Sequence, residues 1–188
     1  DKSGAVLEEV VRQNAERVRV IHQQNAGHGA ACRRGYEAAL EQGAEWVLQV
    51  DSDGQCDAAY LREFWAGKEA VDCVFGERHR RDDGWQRSLI SRACAVCVGW
   101  VSGVRMVDLN VPYRLMRGVV LAAAMVKIPR DFGLQNIALS IALKRGDYRW
   151  RFIPIHFRAR AGGMNSIHLG SILKLGWKLM ADLRRLPA

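Results

Sequence analysis

Short apolar runs that read as strands alternate with longer helical patterns along almost the whole chain, and this alternation limits it to an α/β architecture. Val6, Leu7, Val10 and Val11 form an apolar stripe on a first helix, and Val18, Val20 and Ile21 read as a strand. Ala30 to Gln42 is a good helix sequence, followed by a strand over Trp46–Val50, a helix over Ala58–Ala66 and a strand over Val71–Gly76. Glu77 to Gly84 is charged and turn-rich, and reads as a solvated loop able to close over substrates. A helix is expected from Gln86 to Ser102, a short strand at Tyr113–Met116, and helices near Val119–Val126 and Leu134–Lys144. Tyr148–Phe157 is a long strand. Pro154 within it marks an edge or a bend. The last helix covers about Ser166 to Leu183. Such alternation predicts a mostly parallel sheet flanked by helices.

Within that frame the strand Trp46–Val50 stops on Asp51-Ser52-Asp53-Gly54-Gln55, two carboxylates spaced by one residue in a turn. Open α/β sheets bind ligands beyond the carboxyl ends of their strands. Asp51, Asp53 and the amide oxygen of Gln55 are hard oxygen donors suited to Mg²⁺ or Mn²⁺, and an ion held there can clamp a diphosphate. An acidic solvated turn is the alternative. Gly27-His28-Gly29 opens the helix that follows, where glycine permits close backbone approach and a helix N-terminus attracts phosphate. A tight turn without a ligand explains the same residues.

Five cysteines, Cys32, Cys56, Cys73, Cys94 and Cys97, are odd in number and scattered, against a disulfide framework and for a reducing compartment. Cys94 and Cys97 form one Cys-x-x-Cys in an apolar helical run without a second pair, so they read as core or interface, not zinc ligands. No apolar run reaches the roughly 18 residues of a membrane span. The net charge of +8 is regional. From Lys144 onward, 10 basic residues stand against Asp147 and Asp182, and the rest of the chain balances. This suggests an anionic partner for the C-terminal part, a membrane surface or a phosphate; no nucleic-acid reading motif is present.

Five segments together carry a resemblance. They are Asn25-Ala26-Gly27-His28-Gly29-Ala30-Ala31 with Gly35; Gln49-Val50-Asp51-Ser52-Asp53-Gly54-Gln55; Val74-Phe75-Gly76-Glu77-Arg78; Asp108-Leu109-Asn110-Val111-Pro112-Tyr113-Arg114-Leu115-Met116; and Pro154-Ile155-His156-Phe157 with Arg160, Gly162, Gly163, Asn165 and Ser166. In this order and spacing the chain resembles a family 2 glycosyltransferase of the GT-A fold, in the branch near dolichol-phosphate and polyprenyl-phosphate sugar synthases. The resemblance implies a GT-A-like, Rossmann-like domain over residues 1–165 and an amphipathic basic helix over 166–188. It implies inverting transfer of a sugar from a UDP- or GDP-linked donor to a lipid-phosphate or glycan acceptor, with Mg²⁺ or Mn²⁺ on Asp51, Asp53 and Gln55.

Asp108 is the candidate base, with Asp131 a weaker one; a structural ion pair with Arg105 or Arg114 is the alternative for Asp108. If the acceptor is a phosphate, already ionised, Asp108 instead positions a sugar hydroxyl or an arginine. Gly27, His28, Gly29, Arg78 and Arg160 are expected on the diphosphate, and Arg158, Gly163, Asn165 and Ser166 on the acceptor-side loop. Related synthases often carry Ser-Lys where this chain has Asn165-Ser166, so the cation there is expected from Arg160. The family usually opens with a base-reading strand, and Asp1-Lys2-Ser3 resembles the end of the next acidic turn, which leaves roughly 30 to 40 residues unaccounted for. An inert nucleotide-binding module, or a nucleotidyltransferase of similar layout, are the rival readings. The final helix, with Trp177 and Leu179 among Lys174, Lys178, Arg184 and Arg185, suits a membrane interface or its own domain equally. A cytoplasmic location, peripheral on the membrane's inner face, is expected.

Overall fold

The computed structural model describes residues 3–82, 85–159 and 179–186. The elements run α1 (Ser3–Gln13), α2 (His28–Glu41), β1 (Trp46–Val50), α3 (Tyr60–Ala66), β2 (Cys73–Arg81), α4 (Trp85–Ser102), β3 (Tyr113–Arg117), α5 (Gly118–Val126), α6 (Gln135–Lys144) and β4 (Trp150–Phe157). The α/β class and most boundaries follow the periodicity of the sequence.

Strand direction does not. The four strands lie in the order β1-β3-β2-β4, and β3 runs antiparallel to both of its neighbours. Only β2 and β4 pair in parallel. The sheet is therefore mixed, which corrects the expectation of a mostly parallel one. The reason lies in the connection: α4 and the turn after it return the chain to the end of the sheet that β2 has just reached, where Arg78 meets Asp108, so β3 enters the gap between β1 and β2 reversed. β4 is an edge of this sheet, where Pro154 costs no ladder hydrogen bond.

Two further elements depart from expectation. Val18–Ile21 forms no strand; Val18 N–H turns back to the Asn14 carbonyl at 2.9 Å, and Ile21 is exposed. β2 runs on through Glu77–Arg81, residues expected in a loop. The parallel ladder to β4 continues from Glu77↔Pro154 to Arg81↔Phe157, with a bulge between Arg78 and Arg80. That ladder satisfies the backbone, so charged side chains do not prevent the strand.

The sheet is covered on both faces. Gln49 of β1 and Arg114 of β3 are cross-strand partners and share a face. Tyr36 of α2 hydrogen-bonds Gln49, and Arg114 reaches the Asn136 carbonyl of α6 at 2.8 Å, so α2 and α6 cover that side. On the other side Phe64 of α3 packs on Tyr113 with ring centroids 4.5 Å apart. At the base of the sheet Asp72 clasps three strand ends: it accepts from Arg149 N–H at 3.0 Å and lies 3.5 Å from the Arg117 guanidinium. The hydrogen bonds from Arg149 hold its carboxyl below the ordinary range.

Residues 179–183 are helical, and Leu179, Leu183 and Leu186 are buried in the core. The remainder of the basic terminal helix, from Ser166 to Lys178, lies outside the described residues. No helix among the described residues is long and apolar enough to cross a membrane.

Gly118 marks the tightest backbone approach between elements. A Cβ there would fall 2.2 Å from the Ala44 carbonyl oxygen, and Gly118 N–H already bonds the Glu45 carbonyl at 2.7 Å. Gly118→Ala must push the start of α5 off β1 and is expected to lower stability by about 2–4 kcal/mol. Urea denaturation measures it; a loss under about 0.5 kcal/mol would show that the contact yields freely.

Candidate active site

All but one of the buried polar side chains among the described residues gather at one end of the sheet. Gln49, Gln55, Asp108, Arg114, Gln135, Asn136 and Ser140 are buried there; the exception, Asp182, pairs with Arg185 in the C-terminal segment. Buried polar groups are costly unless they bond or bind, so this concentration marks the functional end of the molecule.

The turn after β1 is built by local chemistry. Gly54 takes φ +75°, a backbone state that favours glycine, and Asp53 Oδ1 accepts the Gln55 N–H at 3.1 Å. Gln55 is 3% exposed, and its Nε2 donates to the Arg158 carbonyl at 2.9 Å. Arg158 N–H in turn donates to the Gln55 carbonyl at 3.0 Å. The carboxylate turn is thus tied in both directions to the end of β4, and the Arg158 side chain pairs with Asp57.

Asp51 sits where β1 meets α2. Its carboxyl is pushed above the ordinary range, first by burial and then by Asp53, against the opposing pull of His28, a Gln49 hydrogen bond and Arg114. His28 Nε2 lies 3.9 Å from Asp51 Oδ1 and 3.4 Å from Cys32 Sγ. Burial, with Asp51 second, pushes the Cys32 thiol up to about 11, so it is a neutral packing group there. Gly27 takes φ +87°, and a Cβ on Gly29 would meet the Gly133 oxygen and Gln135 Cβ, each at 3.2 Å. The positive φ of Gly27 and the close approach of the α2 and α6 N-termini at Gly29 favour glycine at both positions independently of any ligand.

Arg78, at the bulge in β2, meets Asp108 in a two-point ion pair: Nε to Oδ2 at 2.5 Å and Nη2 to Oδ1 at 2.7 Å. Asp108 Oδ1 also accepts the Asn110 N–H at 3.2 Å. The partner of Asp108 is therefore neither Arg105 nor Arg114 but Arg78, and both carboxylate oxygens are engaged. Cys56, just after the Asp51–Asp53 turn, feels the charges of both Asp51–Asp53 and Arg78. Its thiol is pushed up to about 12 by burial and by Asp51 and Asp53, with Arg78 opposing.

The sequence points to Arg114 only as an alternative partner of Asp108 and misses its actual role. Fully buried, it donates to the carbonyls of Val111 at 2.6 Å, Asn136 at 2.8 Å and Leu109 at 2.9 Å, pinning the Asp108 loop to α6. A charged residue inside an apolar strand, Tyr113-Arg114-Leu115-Met116, is the signal that could have found it. Gln135 Nε2 and Asn136 Oδ1, at the start of α6, are buried without a hydrogen-bond partner among the described residues. No sequence pattern marks them. Asp131, the weaker base candidate, pairs with Arg185 at 2.8 Å. Arg160, Gly163, Asn165 and Ser166 lie outside the described residues.

Among the described residues no group of three His, Cys, Asp or Glu side chains is already gathered about a cation position. Two carboxylates without a third protein ligand fit a cation shared with a substrate phosphate. Mg²⁺-type sites commonly take one or two carboxylates and complete their shell with substrate and water.

Comparison with known proteins gives the same direction. The chain is 26% identical over 200 residues to the polyprenol monophosphomannose synthase of Mycolicibacterium smegmatis, covering 95% of this chain and 71% of that protein. Its fold is similar to glucosyl-3-phosphoglycerate synthase from Mycobacterium tuberculosis in complex with uridine diphosphate, with a TM-score of 0.58 and 16% identity over 96% of this chain. The same enzyme with Mn²⁺ and UDP-glucose gives a TM-score of 0.58 and 15% identity over 95% of this chain. The chain spans 66% and 64% of those two solved chains, a little under two thirds of their length. Residues 1–111, from α1 through the Asp51–Asp53 turn to Asp108, match the Glycosyl transferase family 2 model, and the chain belongs to that family.

Proposed function

We propose that this chain transfers a sugar from a UDP- or GDP-linked donor to a lipid-phosphate acceptor, by a single inverting displacement. The observation that carries the reading is the Asp51–Asp53 carboxylate turn at the end of β1, held in place by the reciprocal hydrogen bonds between Gln55 and Arg158 at the end of β4. The mannose synthase relative, whose name specifies a polyprenol monophosphomannose product, supports the acceptor class.

Asp51 and Asp53 would hold Mg²⁺ or Mn²⁺, with Gln55 bracing the turn from below. Bound there, the cation supplies charge neutralisation for the departing nucleoside diphosphate. Gly27, His28 and Gly29 present the α2 N-terminus to the diphosphate. An acceptor phosphate oxygen forms the new bond to the anomeric carbon as the bond to the diphosphate breaks, and the electron pair leaves with the nucleotide. Such an oxygen is already ionised near neutral pH. No general base is then required, and Asp108 acts as a positioning residue that aims Arg78 at an anionic group. Gln135 Nε2 and Asn136 Oδ1, left unpaired at a cost of about 1–3 kcal/mol each, are available to the substrate or to ordered water. Arg158, Arg160, Gly163, Asn165 and Ser166 form the acceptor side in this reading.

Thermal unfolding with Mn²⁺ and a panel of UDP, GDP and their sugars, with and without chelator, tests the donor half. Metal-dependent stabilisation by one nucleotide class is expected, and no shift with any of them would overturn it. Arg78→Lys keeps the charge but loses the two-point geometry, and is expected to lower transfer to a polyprenyl phosphate about 10–100-fold. An unchanged kcat/KM would remove Arg78 from the site.

A further inference from the structure

Helix α4 is apolar on both sides. Its inner face packs Cys94, Ala95 and Val98 on the core, with Val98 fully buried. Its outer face carries Leu89, Ala93, Val96, Cys97 and Trp100, spaced at i, i+4, i+7, i+8 and i+11, so they form one stripe. That stripe faces solvent: Leu89 and Val96 are each 60% exposed and Trp100 is 90% exposed. Val107, which lines a cavity with Arg105 and Asp108 just after α4, is a further exposed apolar residue, 72% exposed. A helix that faced only water would show polar residues there, and an exposed apolar surface of this extent marks an interaction site.

The charge around the stripe selects its partner. From Leu89 to Val107 the sequence has no Asp or Glu, and the charged residues are Arg92 and Arg105, both exposed. An apolar face with a tryptophan at its end and Arg92 and Arg105 as its own charged residues matches an anionic bilayer surface, where the ring and aliphatic groups enter the headgroup boundary and the guanidinium groups meet lipid phosphates; Glu77, across the cavity from Arg105 and Val107, is the acidic group on the side of the candidate site. α4 is too polar along its length to span a bilayer. Ser102 and Gly103, at φ +72°, end the helix, and the chain then leads within a few residues to Asp108.

We infer that the outer face of α4 docks this protein on an anionic membrane surface and thereby brings the Arg78–Asp108 pair to headgroup level. The inference rests on the lipid-phosphate reading for its purpose, but the docking itself is tested separately. It places a membrane contact on α4 in addition to the one expected of the C-terminal helix, whose described residues Leu179 and Leu183 are buried in the core.

The test is co-sedimentation of the full chain with mixed phosphatidylcholine–phosphatidylglycerol vesicles and with pure phosphatidylcholine vesicles. Binding to the anionic vesicles alone, weakened by salt, is the expected result. The double variant V96S/W100S, altered only at exposed positions, is expected to reduce the bound fraction about tenfold or more. R92E/R105E is expected to abolish the preference for anionic vesicles. Binding unchanged in V96S/W100S, or absent in the parent protein, overturns the inference. So does a concentration-dependent dimer that V96S/W100S dissociates, because the occupant would then be a second copy. Metal-dependent stabilisation by nucleotide, measured on the same samples, separates the two claims. Vesicle binding without it leaves docking standing and the transferase reading refuted, and the reverse refutes docking alone.

Discussion

Asp53→Asn is expected to abolish the metal-dependent stabilisation by nucleotide and to lower sugar transfer about 10²–10³-fold or more. The substitution is nearly isosteric. Its amide oxygen can still accept the Gln55 N–H that Asp53 Oδ1 now accepts, so the turn keeps its shape. What it removes is one of two carboxylate charges at the end of β1. Asp51→Asn is expected to act alike. In the free protein burial already holds the Asp51 carboxyl above the ordinary range. A proton therefore competes with the cation for Asp51 at higher pH than for an exposed aspartate, and metal-dependent nucleotide binding should fall as pH is lowered through that raised value. Calorimetric titration of Mn²⁺ and nucleotide into both variants measures the loss. Affinity equal to that of the parent would remove these carboxylates from the metal site and, with them, the donor half of the proposed reaction.

The second large effect is structural and reaches the same site. Arg114→Met is expected to destabilise the fold by about 3–5 kcal/mol, a large part of the roughly 5–15 kcal/mol of a typical domain. The guanidinium is fully buried and makes its hydrogen bonds to carbonyls. Of its three acceptors, Leu109 and Asn136 also receive the Ser140 hydroxyl, at 2.8 and 3.0 Å. The Val111 carbonyl receives no other side-chain donor among the described residues, so it bears most of the penalty. Desolvation lowers the Arg114 pKa, yet an arginine stays charged, and its field reaches both Asp51 and Asp108. Arg114→Lys should restore only part of the stability, since one ammonium cannot match the spread of three carbonyls. Guanidinium denaturation of both variants checks the ranking. A loss below about 1 kcal/mol in Arg114→Met would mean that the loop carrying Asp108 holds its place without the arginine.

Much of the site is legible in the amino-acid sequence, for a local reason. Trp46–Val50 is a five-residue run, apolar except for Gln49, that stops on a turn, and such a run becomes a strand in almost any α/β context. Asp51, Asp53 and Gln55 share that turn, so their proximity is covalent. Gly27 and Gly29 are legible for the same reason. The Arg78–Asp108 pair is not, because 30 residues and the whole of α4 separate its members. Nor is the continuation of β2 through Glu77–Arg81, where a partner strand overrides a composition that reads as loop.

The α/β class, the place of β1 and the carboxylate turn are thus determined by the sequence itself, since periodicity and turn chemistry act over a few residues. Only the tertiary structure decided that β3 enters the sheet reversed, that Arg78 rather than Arg105 or Arg114 takes Asp108, and which face of α4 is left open. Those outcomes depend on which distant segments close against one another. An apolar stripe records that a face prefers to leave water, but what covers it is set by the rest of the fold or by a partner.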